Sequence, residues 1–229
     1  MIGSVFISEY DEPPFRMSEI LRYAGAGGIE KEDVLRLASE CADMVRGKLT
    51  YRVCWREFPV RLDGTDVDLG FARTDSVFLR HRLAGCNRVV LFAATVGLEI
   101  DRLIARFSAV SPARALLLQA VGAERIEALC DRFCEDMACQ AASRGERILP
   151  RFSPGYGDLP LEMQRDIFRV LNCPDHIGLT LNESLLMSPS KSVTAIVGVK
   201  KEGCGAGDDP EESAGCDACP DSDCPFRKK

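Results

Sequence analysis

The sequence predicts an α+β fold in which one twisted, mixed or antiparallel sheet is flanked by helices. Apolar residues recur at helical spacing over 31–49 and 112–143. Residues 51–70 instead alternate apolar and polar side chains, which is typical of strands. Two short apolar runs, 89–94 and 193–200, have the length and composition of buried strands. Helices that alternate with strands, some of them joined as a hairpin, favour the α+β class.

The composition is that of an ordinary globular protein. The residues are 46% hydrophobic and 28% charged. A length of 229 residues is sufficient for one large domain or two small ones. Because the net charge is −6, we expect no nucleic-acid partner bound through its phosphates. The chain has neither an apolar run long enough to span a membrane nor the basic-then-apolar order of a signal peptide, so we expect a cytoplasmic protein.

The N-terminal half is predicted to contain an extended segment, helices and a hairpin. Residues 4–7 favour a strand or an extended arm, and 17–23 a short helix that glycines stop. A stronger helix follows over 31–49. Residues 51–70 predict a hairpin that turns at Asp63-Gly64, and Ser76 is placed to cap a short helix.

The longest predicted element is a helix over 112–143, which begins at a typical Ser-Pro start. Glu127 and Asp131 are four residues apart and therefore lie on one face of this helix. They form either a solvated acidic face or part of a site. Cys130 and Cys134 share its apolar face, where we expect core packing. A further amphipathic helix is predicted over 161–171.

Between these two helices lies a loop, residues 151–160, that is rich in proline and glycine. It is either a tight surface turn or a ligand cradle. Arg151 offers a fork of donors that suits a carboxylate. Gly155 allows backbone amides to approach a ligand closely, and Tyr156 can cover a flat ring.

The last 27 residues form a second region, so the predicted boundaries are 1–202 for the main domain and 203–229 for a Cys-rich tail. The tail has almost no large apolar residue and cannot form an ordinary core. Its cysteines follow the spacing C-x11-C-x2-C-x4-C, which suits zinc or an iron–sulfur cluster; the alternative is a disordered tail with free thiols. The predicted ligands are Cys204, Cys216, Cys219 and Cys224.

Residues 110–200 resemble the activation domain of cobalamin-dependent methionine synthase. The S-adenosylmethionine-binding signature of that family, R-x-x-x-G-Y, is present as residues 151–156. A second block, 179–184, resembles the family's L-T-E-S segment. It is followed, as in the family, by Met187, Pro189, Ser192 and Val193.

The resemblance implies both a ligand and its contacts. Arg151 would bind the carboxylate of S-adenosylmethionine, and Glu127 would attract its ammonium group. Backbone groups from Ser153 to Gly155 would line the ligand, and Tyr156 would pack against it. No side chain need act as a base or a nucleophile, because the main task is positioning.

The resemblance also implies a role and partners. The chain would support reductive methylation, and thus reactivation, of the cobalamin of a separate methionine synthase or related corrinoid methyltransferase. The electron would come from a donor such as flavodoxin or ferredoxin, and a cluster in the tail could relay it. We expect no membrane partner.

Two other functions are compatible with the sequence. The family's aromatic-rich segment after the last strand is replaced here by Lys200, Lys201 and the cysteine tail. The chain could therefore be a binding and assembly module that recruits a corrinoid protein without S-adenosylmethionine. An independent methyltransferase acting on a small substrate is the third hypothesis, although no substrate pocket is visible in the sequence.

Overall fold

The computed structural model of the chain describes residues 4–28 and 31–201. Its helices are α1 (Met17–Tyr23), α2 (Glu32–Val45), α3 (Val77–Arg82), α4 (Glu99–Val110), α5 (Pro112–Ala142), α6 (Met163–Leu171) and α7 (Cys173–Ile177). Its strands are β1 (Phe6–Tyr10), β2 (Tyr51–Pro59), β3 (Arg61–Asp63), β4 (Asp66–Asp68), β5 (Arg73–Thr74), β6 (Arg88–Thr95), β7 (Glu146–Ile148), β8 (Thr180–Leu181), β9 (Met187–Ser188) and β10 (Ser192–Lys201). None of the described helices combines the length and hydropathy needed to cross a bilayer.

Five strands form the central sheet in the order β1-β2-β6-β10-β7. Every neighbouring pair in this sheet is antiparallel. Two small sheets, β3-β4-β5 and β8-β9, lie outside it. The predicted α+β class with a helix-flanked sheet is confirmed.

The central sheet is buried on both faces, and β6 shows this most clearly. Val90, Phe92 and Ala94 join the core that α1, α2, α4 and α5 cover. The alternate residues Val89, Leu91 and Ala93 join a second core under α3, α6 and α7. Because both faces of the strand are covered, its sequence is continuously apolar and does not alternate.

One part of the sequence prediction is wrong. Residues 51–70 do not form one hairpin, because β2 pairs with β1 and β6 in the central sheet. The hairpin is confined to β3 and β4, which meet at a turn where Gly64 has φ +54°. Strand β2 pairs with β6 over eight residues, and its buried side chains join the cores on both faces of the central sheet.

Helix α5 carries a buried ion pair that fixes the N-terminal segment. Glu124 and Arg125 are both fully buried, and the Arg125 guanidinium donates to both carboxylate oxygens of Glu124 at 2.6 Å. Arg125 also donates to the carbonyl oxygens of Pro13 and Pro14 and lies 3.8 Å from the centre of the Phe15 ring. The chain before α1 is therefore held against α5.

The cysteines expected in the core lie there. Cys41 and Cys130 are fully buried, and this burial raises the pKa of both thiols. Cys134 is half-buried, and burial raises the pKa of its thiol as well. These side chains therefore pack as neutral thiols.

Candidate functional site

A cleft of about 540 Å³ opens beside the loop of residues 151–160. Helices α3, α5 and α6 contribute to its walls together with the loop and the segment from β9 to β10. It is lined by Phe78, Arg82, Glu127, Arg151, Phe152, Ser153, Pro154, Tyr156, Gly157, Gln164, Met187, Ser192, Val193 and Thr194.

The edge of the central sheet positions the loop. After β7 the chain continues along β10, and Phe152 exchanges backbone hydrogen bonds of 2.9 and 2.8 Å with Ile196. Beyond Phe152 the chain turns away from the sheet. Gly155, at φ +89°, donates from its backbone nitrogen to the carbonyl of Leu159 at 2.9 Å. An L-amino acid rarely adopts this φ, so the turn requires glycine.

Asp158 anchors the far end of the loop to helix α3. Its carboxylate accepts hydrogen bonds from the Ser76 hydroxyl, from the Val77 backbone nitrogen at 2.7 Å and from the Phe78 backbone nitrogen at 3.3 Å. The Ser76 hydroxyl in turn accepts from the backbone nitrogen of Leu79, as the predicted cap requires. The Ser76 hydrogen bond, followed by those of the backbone, lowers the pKa of Asp158.

Arg151 is held between two carboxylates of α5. Its Nη2 donates to Glu127 Oε2 at 2.5 Å, and its Nη1 donates to Asp131 Oδ1 at 2.7 Å. Burial alone would lower the pKa of Arg151, but its charged neighbours outweigh that effect and raise it. Arg151 therefore stays cationic, and one arm of its fork meets Glu127 at the wall of the cleft.

The same charge network continues towards the N-terminal segment. Asp131 also accepts from Arg16 Nη2 at 3.2 Å, and Arg16 donates from its backbone nitrogen to Glu124 at 3.3 Å. The network thus connects the cleft to the buried Glu124–Arg125 pair. Such a connected set of charges restrains the side chains on the α5 side of the cleft.

Aromatic rings form another part of the cleft lining. Phe78 of α3 stacks on Phe152 with ring centres 5.5 Å apart and planes 19° apart. The Arg82 guanidinium lies 5.6 Å from the centre of each of these rings. Tyr156 is 68% exposed, so its ring is available to a ligand or a partner.

Four of the five predicted ligand-binding residues line this cleft. They are Glu127, Arg151, Ser153 and Tyr156. Gly155 does not line the cleft but shapes the turn beside it. From the second sequence block, Met187, Ser192 and Val193 line the cleft, whereas residues 182–184 lie at the exposed turn between β8 and β9.

Sequence reasoning missed several lining residues, because they lie in regular helices and strands outside the recognised motifs. Phe78 and Arg82 come from α3, Gln164 from α6 and Thr194 from β10. For Asp131, the second carboxylate that binds Arg151, the sequence offers one indication, which is its helical spacing from Glu127. Asp158 lies inside the loop, but the sequence does not reveal its bonds to α3.

The described residues contain no group of three or more His, Cys, Asp or Glu side chains that could hold a metal ion. The four predicted ligands, Cys204, Cys216, Cys219 and Cys224, lie outside the described residues.

The fold and the cleft define an α+β domain with a candidate site at one edge of an antiparallel sheet. The chain belongs to the family of the vitamin B12 dependent methionine synthase activation domain, whose model matches residues 71–204. The resemblance drawn from the sequence is thereby confirmed. The match extends from before α3 to the end of β10 and includes the whole loop.

A crystal structure of the MetH reactivation domain bound to AdoHcy has the same fold. The TM-score is 0.57 at 18% sequence identity, and the alignment covers 85% of this chain and 78% of that chain. No curated protein matches the chain by sequence.

Proposed function

We propose that this chain binds S-adenosylmethionine in the cleft beside residues 151–160 and supports reductive methylation of the cobalamin of a separate protein. That protein would be a methionine synthase or a related corrinoid methyltransferase. The observation that carries the proposal is the Glu127–Arg151 pair on the cleft wall, which joins helix α5 to the loop that bears the family signature. The similar MetH reactivation domain, which was crystallised with AdoHcy, supports the same ligand class.

The paired charges suit the amino-acid end of this ligand. S-adenosylmethionine carries an α-ammonium and an α-carboxylate next to each other. An ion pair of opposite polarity can bind both groups, with Glu127 facing the ammonium and Arg151 facing the carboxylate. Asp131 holds Arg151 and is itself connected through Arg16 to the buried Glu124. The guanidinium group of Arg151 is therefore oriented before the ligand binds.

The remainder of the cleft suits the nucleoside. Its volume of about 540 Å³ falls within the range of small-molecule sites. Tyr156 and the stacked pair of Phe78 and Phe152 present aromatic surface for a flat base. Ser153 and Pro154 line the same cleft.

In this proposal the bound S-adenosylmethionine supplies the methyl group, and cobalamin belongs to the partner. The residues of this chain bind the donor and orient it towards the cleft mouth, where Tyr156 is exposed. The contribution to rate is therefore one of positioning. An electron donor such as flavodoxin or ferredoxin would complete the reaction.

The cysteine tail is a separate part of the proposal. Cys204, Cys216, Cys219 and Cys224 would hold zinc or an iron–sulfur cluster, and only a cluster could relay an electron. Anaerobic purification followed by metal analysis and visible spectroscopy tests this. A Cys216→Ser, Cys219→Ser double variant should lose the metal, and equal metal content in both proteins would refute the assignment.

Isothermal titration with S-adenosylmethionine tests the main proposal. The wild type should bind, and Arg151→Ala should weaken binding by about tenfold or more, because a charge-assisted hydrogen bond is lost. Arg169→Ala is the matched control, since Arg169 is exposed on α6 and pairs only with Asp166 among the described residues. A wild type that binds a corrinoid protein but no S-adenosylmethionine would instead support the assembly-module hypothesis.

A further inference from the structure

The floor of the cleft contains two buried polar atoms without a hydrogen-bond partner. Gln164 is 6% exposed and Thr194 is 2% exposed, yet Gln164 Oε1 and Thr194 Oγ1 have no partner among the described residues. Both residues line the cleft. Buried polar groups in folded proteins are nearly always hydrogen-bonded, so two exceptions in one cleft require an explanation.

Neither side chain sits on a loose segment. Gln164 lies in the first turn of α6, between the buried residues Met163 and Ile167, and its backbone nitrogen donates to Leu161. Thr194 lies in β10, where it is paired with Ala93 of β6 in the central sheet. Ser192, two residues away on the same strand, shows the usual arrangement, because its hydroxyl bonds to Thr95 and Pro189 at 2.8 Å.

The chemistry of these groups indicates what they would bind. A glutamine amide carries an acceptor and a donor side by side, which matches the amino group and N7 of adenine. A threonine hydroxyl can add one further bond as donor or acceptor. The exposed ring of Phe78 lines the same cleft and offers a surface on which a purine could stack.

We propose that Gln164, assisted by Thr194, recognises the amino group and N7 of the adenine ring and so determines the base specificity of the site. This inference rests on the proposed function, because it takes the ligand to be an S-adenosyl compound. It assigns a specificity role to two residues outside the R-x-x-x-G-Y signature. Gln164 Oε1 would accept from the amino group, and its Nε2 would donate to N7.

The test compares two ligands that differ at one position of the base. S-adenosylhomocysteine carries the amino group, whereas S-inosylhomocysteine has a carbonyl oxygen there. The inosyl compound presents two adjacent acceptors, so the amide can satisfy only one of them in either orientation. Titration of the wild type should therefore show a preference for the adenosyl compound of about tenfold or more.

The Gln164→Met variant keeps the size of the side chain and removes both polar groups. It should bind the adenosyl compound about tenfold more weakly and reduce the preference to about twofold or less. Thr194→Val should weaken binding of the adenosyl compound. Gln140→Met is the matched control, since Gln140 is exposed on α5 away from this cleft, and it should retain the full preference.

The outcomes separate this inference from the function on which it rests. A wild type that binds neither compound contradicts the proposed function itself. A wild type that binds both compounds equally leaves that function intact and refutes the role of Gln164, without any variant having to fold. A preference that persists in Gln164→Met also refutes it.

Discussion

Arg151 and Glu127 are 24 residues apart in the chain, and Nη2 of the arginine donates to Oε2 of the glutamate at 2.5 Å. The pair joins the signature loop to the long helix α5 at the wall of the cleft. With Asp131 on the other arm of the fork, it fixes the guanidinium in one orientation. A ligand that carries both charges next to each other is the natural partner for this arrangement.

Replacing Glu127 by glutamine should weaken the binding of S-adenosylmethionine by about tenfold. The substitution keeps a hydrogen-bonding group but removes the charge that attracts the ammonium. The affinity for 5′-methylthioadenosine, which lacks the amino-acid end, should not change. Titration with both ligands measures the difference.

Glu135→Gln is the control for this prediction, because Glu135 is an exposed residue of α5 that pairs with Arg132. It should behave as the wild type does towards both ligands. Equal weakening of both ligands by Glu127→Gln would mean that Glu127 supports the cleft in general and does not contact the ammonium.

The anchor between Asp158 and α3 should contribute stability in a pH-dependent manner. Hydrogen bonds from Ser76 and the α3 backbone lower the pKa of Asp158 in the folded protein. A lowered folded pKa means that the contribution is fully present above the ordinary aspartate pKa of about 3.9 and is lost as the pH falls through the folded value. Asp158→Asn should therefore be less stable than the wild type at pH 7, with a gap that narrows below about pH 4.

Urea unfolding of both proteins from pH 7 to pH 3 measures this gap. Asp43→Asn, on the exposed face of α2, serves as the comparison and should leave stability at pH 7 nearly unchanged. A gap for Asp158→Asn that stays constant down to pH 3 would exclude the carboxylate bonds as its origin.

Breaking the buried ion pair of α5 should be costly. Arg125→Ala leaves the carboxylate of Glu124 buried, and the expected loss of unfolding free energy is about 3–5 kcal/mol. It also removes the contacts to Pro13, Pro14 and the Phe15 ring. Arg132→Ala, on the exposed side of the same helix, should cost less than about 1 kcal/mol in urea unfolding.

Gly155→Ala should affect both stability and binding. At φ +89° an alanine is strained by about 1–2 kcal/mol, and its Cβ would lie 3.2 Å from Leu161 Cδ1. Gly145→Ala has similar backbone strain, with φ +67°, but lies before β7 and has open space around its Cβ. Both variants should lose stability, and only Gly155→Ala should also lose affinity for S-adenosylmethionine. Equal affinities in the two variants would show that the turn at Gly155 does not shape the site.

The sequence predicts the elements that local periodicity determines. Helix α1 occupies the predicted residues Met17–Tyr23, and α5 ends within one residue of the prediction. Strand β6 was recognisable because burial on both faces makes it continuously apolar. The partners of β2 were not predictable from its alternation, since its neighbour β6 begins at Arg88, far along the chain.

The residues of the candidate site also fall into two groups, those that the sequence reveals and those that only the structure reveals. Arg151 and Tyr156 lie within a short motif, and Asp131 follows Glu127 at helical spacing, so all of these residues stand out in the sequence. Gln164 and Thr194 do not, because they belong to an amphipathic helix and a sheet strand like many others. Tertiary packing alone brings them to the cleft floor, and only the structure shows that their polar atoms have no partner there.

A structure of the full chain crystallised with S-adenosylhomocysteine tests the central claim most directly. The account predicts ligand density in the cleft, with the amino-acid end between Glu127 and Arg151 and the nucleoside beside Tyr156. Ligand bound elsewhere on the protein, or bound in the cleft with its carboxylate away from Arg151, would contradict it.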